Sequence, residues 1–351
     1  MLAEADVADL VRADRAHVWR PYTPHDAHAS VDPLVVARAA GARLYDPSGR
    51  GYLDGNSSWW VAALGHGHPR LLARLAAQSR ELAHCALAGI AHEPEARLAE
   101  ELARVAPPGL SRAFYTDNGS GSIEVAVKMC VQGQAQRGQP RRTRFVALDG
   151  AFHGDTIGAA SLGGVELFRR PFASVLFDCV RAPSPDERGF ARAFEHVEAL
   201  LAREGDTIAG VFVEPLVQGA AGMRVYDPAH LRALREACSR AGAWLVFDEV
   251  FTGYGRTGRM WASDHAGVTP DLMCLGKVFA SIVPMGRRWR PTRCTARSPG
   301  ARTARSGTGT PSAGARSAPR SRSRSSRSTA TRTSWGRPRA RAGGSPPPSS
   351  G

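Results

Sequence analysis

Between about residue 110 and residue 277, short apolar runs alternate with stretches whose apolar residues recur at helical spacing. Runs of this kind, rich in β-branched and aromatic residues, are typical of buried strands. The alternation predicts an α/β fold in which helices cover a mainly parallel sheet. The predicted strands span residues 113–116, 144–148, 175–177, 208–214, 244–248 and 272–275.

One of the intervening helices carries clear signals at both ends. Asp227 is suited to cap its N-terminus, Pro228 to its first turn and Gly242 to the position after its last residue. Leu231 and Leu234 lie on one face. This pattern predicts a crossover helix between two parallel strands. A second helix, over residues 122–136, is predicted to follow the first strand.

The pattern before residue 110 is different. An N-terminal helix is followed by a hairpin pattern over residues 43–54 and by helical patterns over residues 71–83 and 93–106. We interpret residues 1–65 as an arm and hairpin segment. Residues 66–286 then form a large α/β domain.

Residues 287–351 have an unusual composition. They contain 16 arginines and no Lys, Asp or Glu, and they lack Leu, Ile, Val, Phe, Met and Tyr. Removing these 16 from the 46 basic residues of the chain leaves 30 basic against 32 acidic side chains, a net charge of −2. A segment that cannot bury apolar surface does not offset its chain entropy, so we expect a disordered tail.

Two interpretations of this tail stay open. It could be an arginine-rich arm for nucleic acid, with residues 321–327 as its most suggestive part. Its only aromatic residues are Trp289 and Trp335, which gives base stacking little support. We favour a translation that runs out of frame, because the change is abrupt and follows the well-patterned residues 282–286. Nucleic acid is therefore not an expected partner.

The cysteines and the N-terminus indicate a reducing compartment. No two of the six cysteines are closer than 20 positions, which fits neither a zinc site nor a compact disulfide framework. Residues 1–14 mix acidic residues with Leu and Val and do not resemble a secretory signal. We expect a cytoplasmic protein without a membrane span and without a metal site.

Lys277 is one of only two lysines in a chain that otherwise carries its positive charge on arginine. A lysine amine can form a Schiff base with an aldehyde, whereas arginine cannot. Asp248 ends the predicted strand 244–248, and open α/β sheets bind ligands at such strand ends. A carboxylate there can pair with a pyridine nitrogen, so the two residues indicate pyridoxal 5'-phosphate. A capping role for Asp248 is the alternative, and the other lysine, Lys128, is interpreted as a surface residue of a helix.

Other strand ends carry further candidates. Gly119 and Ser120 lie at a strand-to-helix turn, where free backbone amides can bind a phosphate. Phe152 follows strand 144–148 and could stack on a planar ring, with His153 directly after it. Glu214 ends strand 208–214, where a buried ion pair or a loop brace is as consistent with the sequence as a catalytic role, and we interpret it, like His153, as a support for the site. Each of these taken alone also fits a purely structural role.

Together these motifs resemble the class III aminotransferases of the fold type I pyridoxal-phosphate superfamily. The resemblance is carried by Asn118-Gly119-Ser120, Phe152-His153-Gly154-Asp155, Glu214-Pro215, residues 248–258 and Leu275-Gly276-Lys277. It implies pyridoxal 5'-phosphate as cofactor and a homodimer. It also implies roles for five residues: Lys277 as the catalytic lysine that binds the cofactor, Asp248 as the partner of its ring nitrogen, Gly119 and Ser120 at its phosphate, and Phe152 stacked on its ring.

Within the class, residues 19–23, 57–60 and 217–223 are similar to the adenosylmethionine-8-amino-7-oxononanoate aminotransferases of biotin biosynthesis. That resemblance implies S-adenosylmethionine and 8-amino-7-oxononanoate as substrates and 7,8-diaminononanoate as product. Aromatic walls suit a sulfonium cation and a long aliphatic chain. Core packing of the two tryptophans and a different class III substrate, an ω-amino acid or a diamine, stay open. The residues that match substrate-lining positions are Tyr22, Trp59, Trp60 and Phe152.

The resemblance covers about residues 10–286. Within it, Phe152 stands where the family often has Tyr, and Asn118 where Ser is common. The later part of the family supplies a Thr for the phosphate of the neighbouring subunit, an Arg for the substrate carboxylate and a small C-terminal domain. None of these can be placed in residues 287–351. We therefore expect the small domain to be missing and turnover to be low or absent, and an inactive remnant stays an alternative.

Overall fold

A computed structural model of the chain describes residues 4–24, 30–183, 189–280 and 286–291. All of them fall in the first of the two units into which the chain divides, Met1–Ala301 and Arg302–Gly351. The described α-helices are α1 (Glu4–His17), α2 (Pro69–Glu81), α3 (Glu93–Val105), α4 (Gly119–Gln136), α5 (Ile157–Leu162), α6 (Glu166–Arg169), α7 (Phe190–Glu204) and α8 (Ala229–Ala241). Short 3₁₀ helices span Arg170–Val175, Ala262–His265 and Lys277–Ala280.

The described strands form one large sheet and two small antiparallel ones. The strands are β1 (Arg38–Ala40), β2 (Arg43–Tyr45), β3 (Gly51–Leu53), β4 (Leu110–Thr116), β5 (Arg144–Leu148), β6 (Val180–Ala182), β7 (Ile208–Val213), β8 (Val217–Gln218), β9 (Arg224–Val225), β10 (Trp244–Asp248), β11 (Leu272–Leu275) and β12 (Gly286–Pro291). The large sheet has the order β4-β12-β11-β10-β7-β5-β6. Strands β6, β5, β7, β10 and β11 pair in parallel, and only β12 runs antiparallel to its neighbours. The predicted α/β fold with a mainly parallel sheet is confirmed.

Most predicted elements are present, with some shifted ends. The strands over 144–148, 244–248 and 272–275 have the predicted bounds. The prediction of a strand over 175–177 is wrong, because Val175 ends a 3₁₀ helix and the strand that joins the sheet is β6. Val175 is 58% exposed, so its apolar side chain does not mark a buried strand.

Strand β12 corrects part of the predicted tail. The backbone of Gly286–Pro291 lies between β11 and β4 and pairs with both. Extended backbone can satisfy the free N–H and C=O groups of two facing strand edges whatever its side chains are, which composition does not predict. The rest of the predicted tail, residues 292–351, lies outside the described part of the chain.

Helices pack on both faces of the large sheet. On one face α7 and α8 bury an apolar cluster that includes Phe194, Leu234 and Phe247. On the other face α4 packs Ile123 and Ala126 against strand side chains. Helix α8 ends as predicted at Gly242, which adopts a left-handed φ of 71°, whereas its N-cap is Pro228, one residue after the predicted Asp227. Asp227 Oδ1 still accepts the Ala229 N–H at 2.7 Å. These layers fix the carboxyl ends of the parallel strands at one edge.

The segment before β4 is packed more loosely. Strands β1, β2 and β3 form the predicted hairpin region as an antiparallel meander. Helix α2 has an apolar side, yet none of its residues is buried within the described chain. No helix among the described residues has both the length and the apolar character required to cross a membrane.

Candidate active site

The residues that follow β4, β10 and β11 lie close together at one end of the sheet. A Cβ added to Gly119 would lie 2.8 Å from Val250 Cγ1, and one added to Gly276 would lie 3.2 Å from Gly119 Cα. A side chain at Gly119 would force a neighbour to move, and one at Gly276 would be tightly packed. The absence of side chains therefore brings the N-terminus of α4 next to the residues that follow β10 and β11.

Asp248 lies at the end of β10 and is buried, as predicted. Its Oδ2 is 2.7 Å from His153 Nδ1, and its Oδ1 accepts the Val250 N–H at 3.1 Å. An ionised carboxylate only accepts hydrogen bonds, so a bond of this kind requires the proton on Nδ1. His153 Nε2 is also buried, and the described chain offers it no hydrogen-bond partner. The pair thus orients the Asp248 carboxylate in the site.

Lys277 follows β11 and Gly276 and has a left-handed φ of 48°. Its Nζ lies 5.1 Å from the centroid of the Trp60 ring and 5.7 Å from that of Phe251. Burial lowers the pKa of Lys277, while the negative charges of Asp248 and Glu214 act in the opposite direction. Lys277 and Asp248, predicted from separate strands, are therefore brought within electrostatic range of each other.

Glu214 follows β7 and acts as a brace between two loops. Its two carboxyl oxygens accept the N–H of Phe152 at 2.9 Å and that of Gly219 at 3.0 Å. Burial raises the pKa of Glu214 to about 7, although the nearby His153 and the two backbone donors lower it. Glu214 thus positions the backbone of Phe152, which fits the predicted supporting role.

Gly119 and Ser120 begin α4, three positions earlier than predicted. Asn118 caps this helix by accepting the Gly121 N–H at 2.8 Å. The Ser120 hydroxyl accepts the Asp155 N–H at 3.3 Å. Gly154 has a φ of 126°, and a Cβ there would lie 2.1 Å from Ser120 Oγ. The loop after β5 therefore depends on Gly154 to reach the helix N-terminus, where backbone N–H groups can bind an anion.

Aromatic side chains form the wall of the site. Tyr22 stacks on Trp59 with 5.2 Å between ring centroids, and Phe168 meets the ring of Phe152 edge-on at 5.4 Å. Trp60 contacts Phe251 at 4.6 Å. Trp59 is 60% exposed, so the alternative of core packing does not hold for this tryptophan.

The tryptophans are carried by a left-handed turn, Ser57–Trp60. All four residues have positive φ values: 51°, 47°, 64° and 66°. L-residues avoid this conformation, at a cost of roughly 1–2 kcal/mol each. A run of four without glycine is therefore strained, and strain of this kind is held by surrounding contacts.

Two charged residues of the site were not predicted. Asp155 accepts a hydrogen bond from the Tyr22 hydroxyl, and burial together with this bond raises the pKa of Tyr22. Arg256 donates from Nη2 to the Trp60 carbonyl at 2.8 Å and lies over the Phe251 ring. Both residues are inside motifs that the sequence analysis identified, 152–155 and 248–258. Only their contacts with the N-terminal segment, far away in sequence, show that they belong to the site.

Comparison with known proteins agrees with this geometry. The sequence profile of the family described as Aminotransferase class-III matches residues 25–313. The chain belongs to the class-III aminotransferases. The match extends to residue 313, further than residue 286, at which the resemblance was predicted to stop.

Two relatives with similar sequences are both named adenosylmethionine-8-amino-7-oxononanoate aminotransferase. An adenosylmethionine-8-amino-7-oxononanoate aminotransferase of Nitratidesulfovibrio vulgaris is 43% identical over 288 residues, covering 78% of this chain and 53% of the relative. One from Synechococcus elongatus is 45% identical, covering 74% of this chain and 62% of the relative. The chain thus spans between about half and two thirds of the length of these relatives.

Solved structures show the same fold. The enzyme of that name from Methanocaldococcus jannaschii superposes with a TM-score of 0.78 at 30% identity, over 82% of this chain and 66% of that one. An omega transaminase from Pseudomonas jessenii in complex with PMP superposes with a TM-score of 0.76 at 29% identity, over 81% of this chain and 66% of that one.

Class-III aminotransferases use pyridoxal 5'-phosphate, and the residues present fit it. Asp248 is buried, and its contact with His153 at 2.7 Å fixes the orientation of its carboxyl group in the site. Lys277 supplies an amine of lowered pKa beside it. Gly119 and Ser120 begin α4, so their backbone N–H groups lie at a helix N-terminus, where an anion can bind. The donor set therefore contains a group for the aldehyde, one for the ring nitrogen and one for the phosphate.

Proposed function

We propose that this site transfers an amino group from S-adenosylmethionine to 8-amino-7-oxononanoate, giving 7,8-diaminononanoate, with pyridoxal 5'-phosphate as cofactor. The observation that carries the proposal is the aromatic wall beside the lysine: Lys277 Nζ is 5.1 Å from the Trp60 ring, and Trp59 stacks on Tyr22. The names of the relatives support the same reaction.

Five residues would hold the cofactor. Lys277 would bind its aldehyde carbon, Asp248 would pair with its ring nitrogen, and Gly119 and Ser120 would bind its phosphate through the helix N-terminus. Phe152 would lie against its ring, with its backbone N–H fixed by Glu214. When bound, pyridoxal phosphate supplies an electron-withdrawing ring that accepts the electron pair released at the amino-bearing carbon.

The protein contributes positioning and proton transfer. Because burial lowers the pKa of Lys277, more of its amine is neutral near pH 7, and a neutral amine can act as nucleophile and base. Once the amino group of the substrate has taken its place on the cofactor, the free Lys277 Nζ would accept the proton that leaves the amino-bearing carbon and would later return it. His153 holds the Asp248 carboxyl group in place, where it would pair with the ring nitrogen of the cofactor.

The aromatic wall fits the two substrates. Trp59, Trp60 and Tyr22 present ring faces to which a sulfonium cation is attracted and on which an adenine ring or an aliphatic chain can pack. Phe152 offers the same apolar surface on the other side, without the hydroxyl that the family often has. Arg256, whose pKa is lowered by burial, is a cation near Lys277 that could pair with a substrate carboxylate.

A second candidate is transamination of another amine, since solved omega transaminases superpose on the chain with TM-scores of 0.76–0.78. Protein loaded with pyridoxal phosphate is incubated with one amino donor, and the fraction that borohydride then fixes to Lys277 is measured by mass spectrometry. We expect S-adenosylmethionine to lower this fraction, and 4-aminobutyrate and ornithine to leave it unchanged. A fall with the other two donors alone favours the second candidate. No fall with any donor rejects amino transfer and leaves cofactor binding intact.

We also propose a homodimer in the cytoplasm. Leu72 and Leu75 on α2 are 46% and 40% exposed, an apolar side that a second copy could cover. The described cysteines are free thiols, four of them buried, as expected in a reducing compartment.

A further inference from the structure

The side chain of Asp54 makes two hydrogen bonds to the left-handed turn Ser57–Trp60. Asp54 Oδ1 accepts the Ser58 N–H at 3.0 Å, and Oδ2 accepts the Ser58 hydroxyl at 2.8 Å. His66 Nε2 lies 2.8 Å from the same Oδ2, and Asp54 and His66 side chains are 8% and 19% exposed. The pair is thus largely shielded from water, where charge-assisted hydrogen bonds are strong.

The far side of the turn reaches the candidate active site. Asn56 Oδ1 accepts the Trp59 N–H at 2.7 Å, and Arg256 donates to the Trp60 carbonyl at 2.8 Å. The Trp60 ring then lies 4.6 Å from the Phe251 ring and 5.1 Å from Lys277 Nζ. The conformation of the turn therefore fixes where the Trp60 ring lies relative to the reactive amine.

We propose that Asp54, itself oriented by His66, is a positioning residue: its carboxylate keeps the turn left-handed and thereby holds Trp60 against Lys277. This inference rests on the proposed function for the importance of Trp60, but the contacts that define it belong to the protein alone. Without the carboxylate, the four residues lose the bonds that oppose their backbone strain. The turn then opens, and the Trp60 ring leaves Lys277.

The test compares Asp54→Asn with a matched change at Asp46. Asp46 accepts the N–H and hydroxyl of Ser48, the N–H of Arg50 and the hydroxyl of Tyr52, so it makes the same kind of bonds at the other end of the hairpin. Asp46→Asn removes the same negative charge and the acceptor of the Tyr52 hydroxyl without touching the turn. Both variants are used as full-length protein without cofactor, after cooperative unfolding has shown that they fold.

Amide hydrogen exchange is read at Trp60 and Val61, whose N–H groups donate to Asn56 and Ser57 carbonyls at 2.9 Å. We expect Asp54→Asn to speed this exchange about tenfold. The amide nitrogen that replaces Oδ2 cannot accept from the Ser58 hydroxyl or from His66, and the remaining bond from the Ser58 N–H loses its charged acceptor. Oxidative labelling of the Trp60 ring should rise in parallel, and Asp46→Asn should change neither. His66→Ala, a milder change, should give a smaller increase.

Glycine rescue separates positioning from general loss of stability. Adding Ser57→Gly and Ser58→Gly to Asp54→Asn should restore slow exchange at Val61 and low labelling of Trp60, since glycine adopts positive φ without steric cost. Unchanged exchange in Asp54→Asn, an equal effect of Asp46→Asn, or no rescue by glycine would overturn the proposal. Because the protein carries no cofactor in these measurements, their outcome is independent of whether it binds pyridoxal phosphate.

Discussion

At the scale of single residues, the candidate site depends on glycines at positions where a side chain would meet its neighbours. Gly119 and Gly276 approach each other and Val250 so closely that an added Cβ would lie 2.8–3.2 Å from its neighbours. Gly154 is constrained twice, by its φ of 126° and by the nearby Ser120 hydroxyl. These glycines let three loops meet around the lysine.

Gly119→Ala should therefore weaken both the fold and the site. The new methyl group would press on Val250 and separate the start of α4 from β10, which we expect to lower the free energy of unfolding by about 1–3 kcal/mol. Pyridoxal phosphate affinity, measured by titration of its absorbance, should fall as well. The matched control is Gly121→Ala in the same helical turn, where a Cβ would lie 3.5 Å from its nearest atom. Equal effects of the two variants would show that the contact with Val250 is not the cause.

Sequence reasoning identified residues whose chemistry is local. Lys277 and Asp248 were identified because each follows a recognisable buried strand. Asp155 and Arg256 were missed as site residues, since what marks them is a partner in the N-terminal segment: Tyr22 for one and the Trp60 carbonyl for the other. No spacing along the chain encodes such contacts.

At the scale of elements, a buried carboxylate holds the loop after β10. Glu249 is fully buried and accepts the Thr252 hydroxyl at 2.6 Å and the N–H groups of Ala262 and Ser263 at 3.1 and 2.9 Å. It ties the start of the loop to its end, and the loop carries Arg256. Burial raises the pKa of Glu249 to about 7, although these donors lower it.

This raised pKa predicts how stability changes with pH. The folded protein keeps a proton on Glu249 up to about pH 7, whereas the unfolded chain releases it near the ordinary value of 4.5. The contribution is therefore fully present below pH 4.5 and is lost as pH rises through 7. The stability advantage of the wild type over Glu249→Gln should shrink by on the order of 2 kcal/mol between about pH 5 and about pH 8.

Denaturant unfolding of both proteins across this pH range provides the measurement. Glu204→Gln is the control, since the hydrogen bond from Arg144 lowers the pKa of the exposed Glu204, so the advantage of its carboxylate should not shrink as pH rises. A wild-type advantage over Glu249→Gln that stays constant or grows with pH would contradict the assignment.

Elements with regular patterns were predicted well, and irregular ones were not. Strand 244–248 follows from a continuous apolar run that ends in a carboxylate. The turn Ser57–Trp60 has no glycine to indicate positive φ, so only its contacts with Asp54 and Asn56 explain it. Strand β12 joins the sheet through backbone pairing, which hydrophobic periodicity does not report.

At the scale of the whole molecule, the apolar side of α2 argues for a dimer. Leu75→Arg places a charge on the exposed apolar side, whereas Ala77→Arg places it on the side that already carries Arg70 and Arg74. We expect the wild type and Ala77→Arg to be dimers by light scattering and Leu75→Arg to shift towards monomer, because burying an unpaired charge is costly. A monomeric wild type, or dimers in all three proteins, would contradict a contact through this side of α2.

The chain contains the residues that fit the cofactor but spans only part of the length of its relatives. The described residues bring together Lys277, Asp248 and the start of α4, the groups that fit the cofactor. The chain nevertheless spans only about half to two thirds of the relatives' length. Cofactor binding is therefore the most direct test of this chain, ahead of turnover.

The decisive measurement is borohydride reduction in the presence of pyridoxal phosphate, followed by peptide mass spectrometry. The chain has only two lysines, so Lys128, exposed on α4, is an internal control. We expect a stable cofactor adduct at Lys277 in the wild type and in Lys128→Arg, and none in Lys277→Arg. A wild type without an adduct, or one whose adduct lies on Lys128, would contradict the assignment of this site.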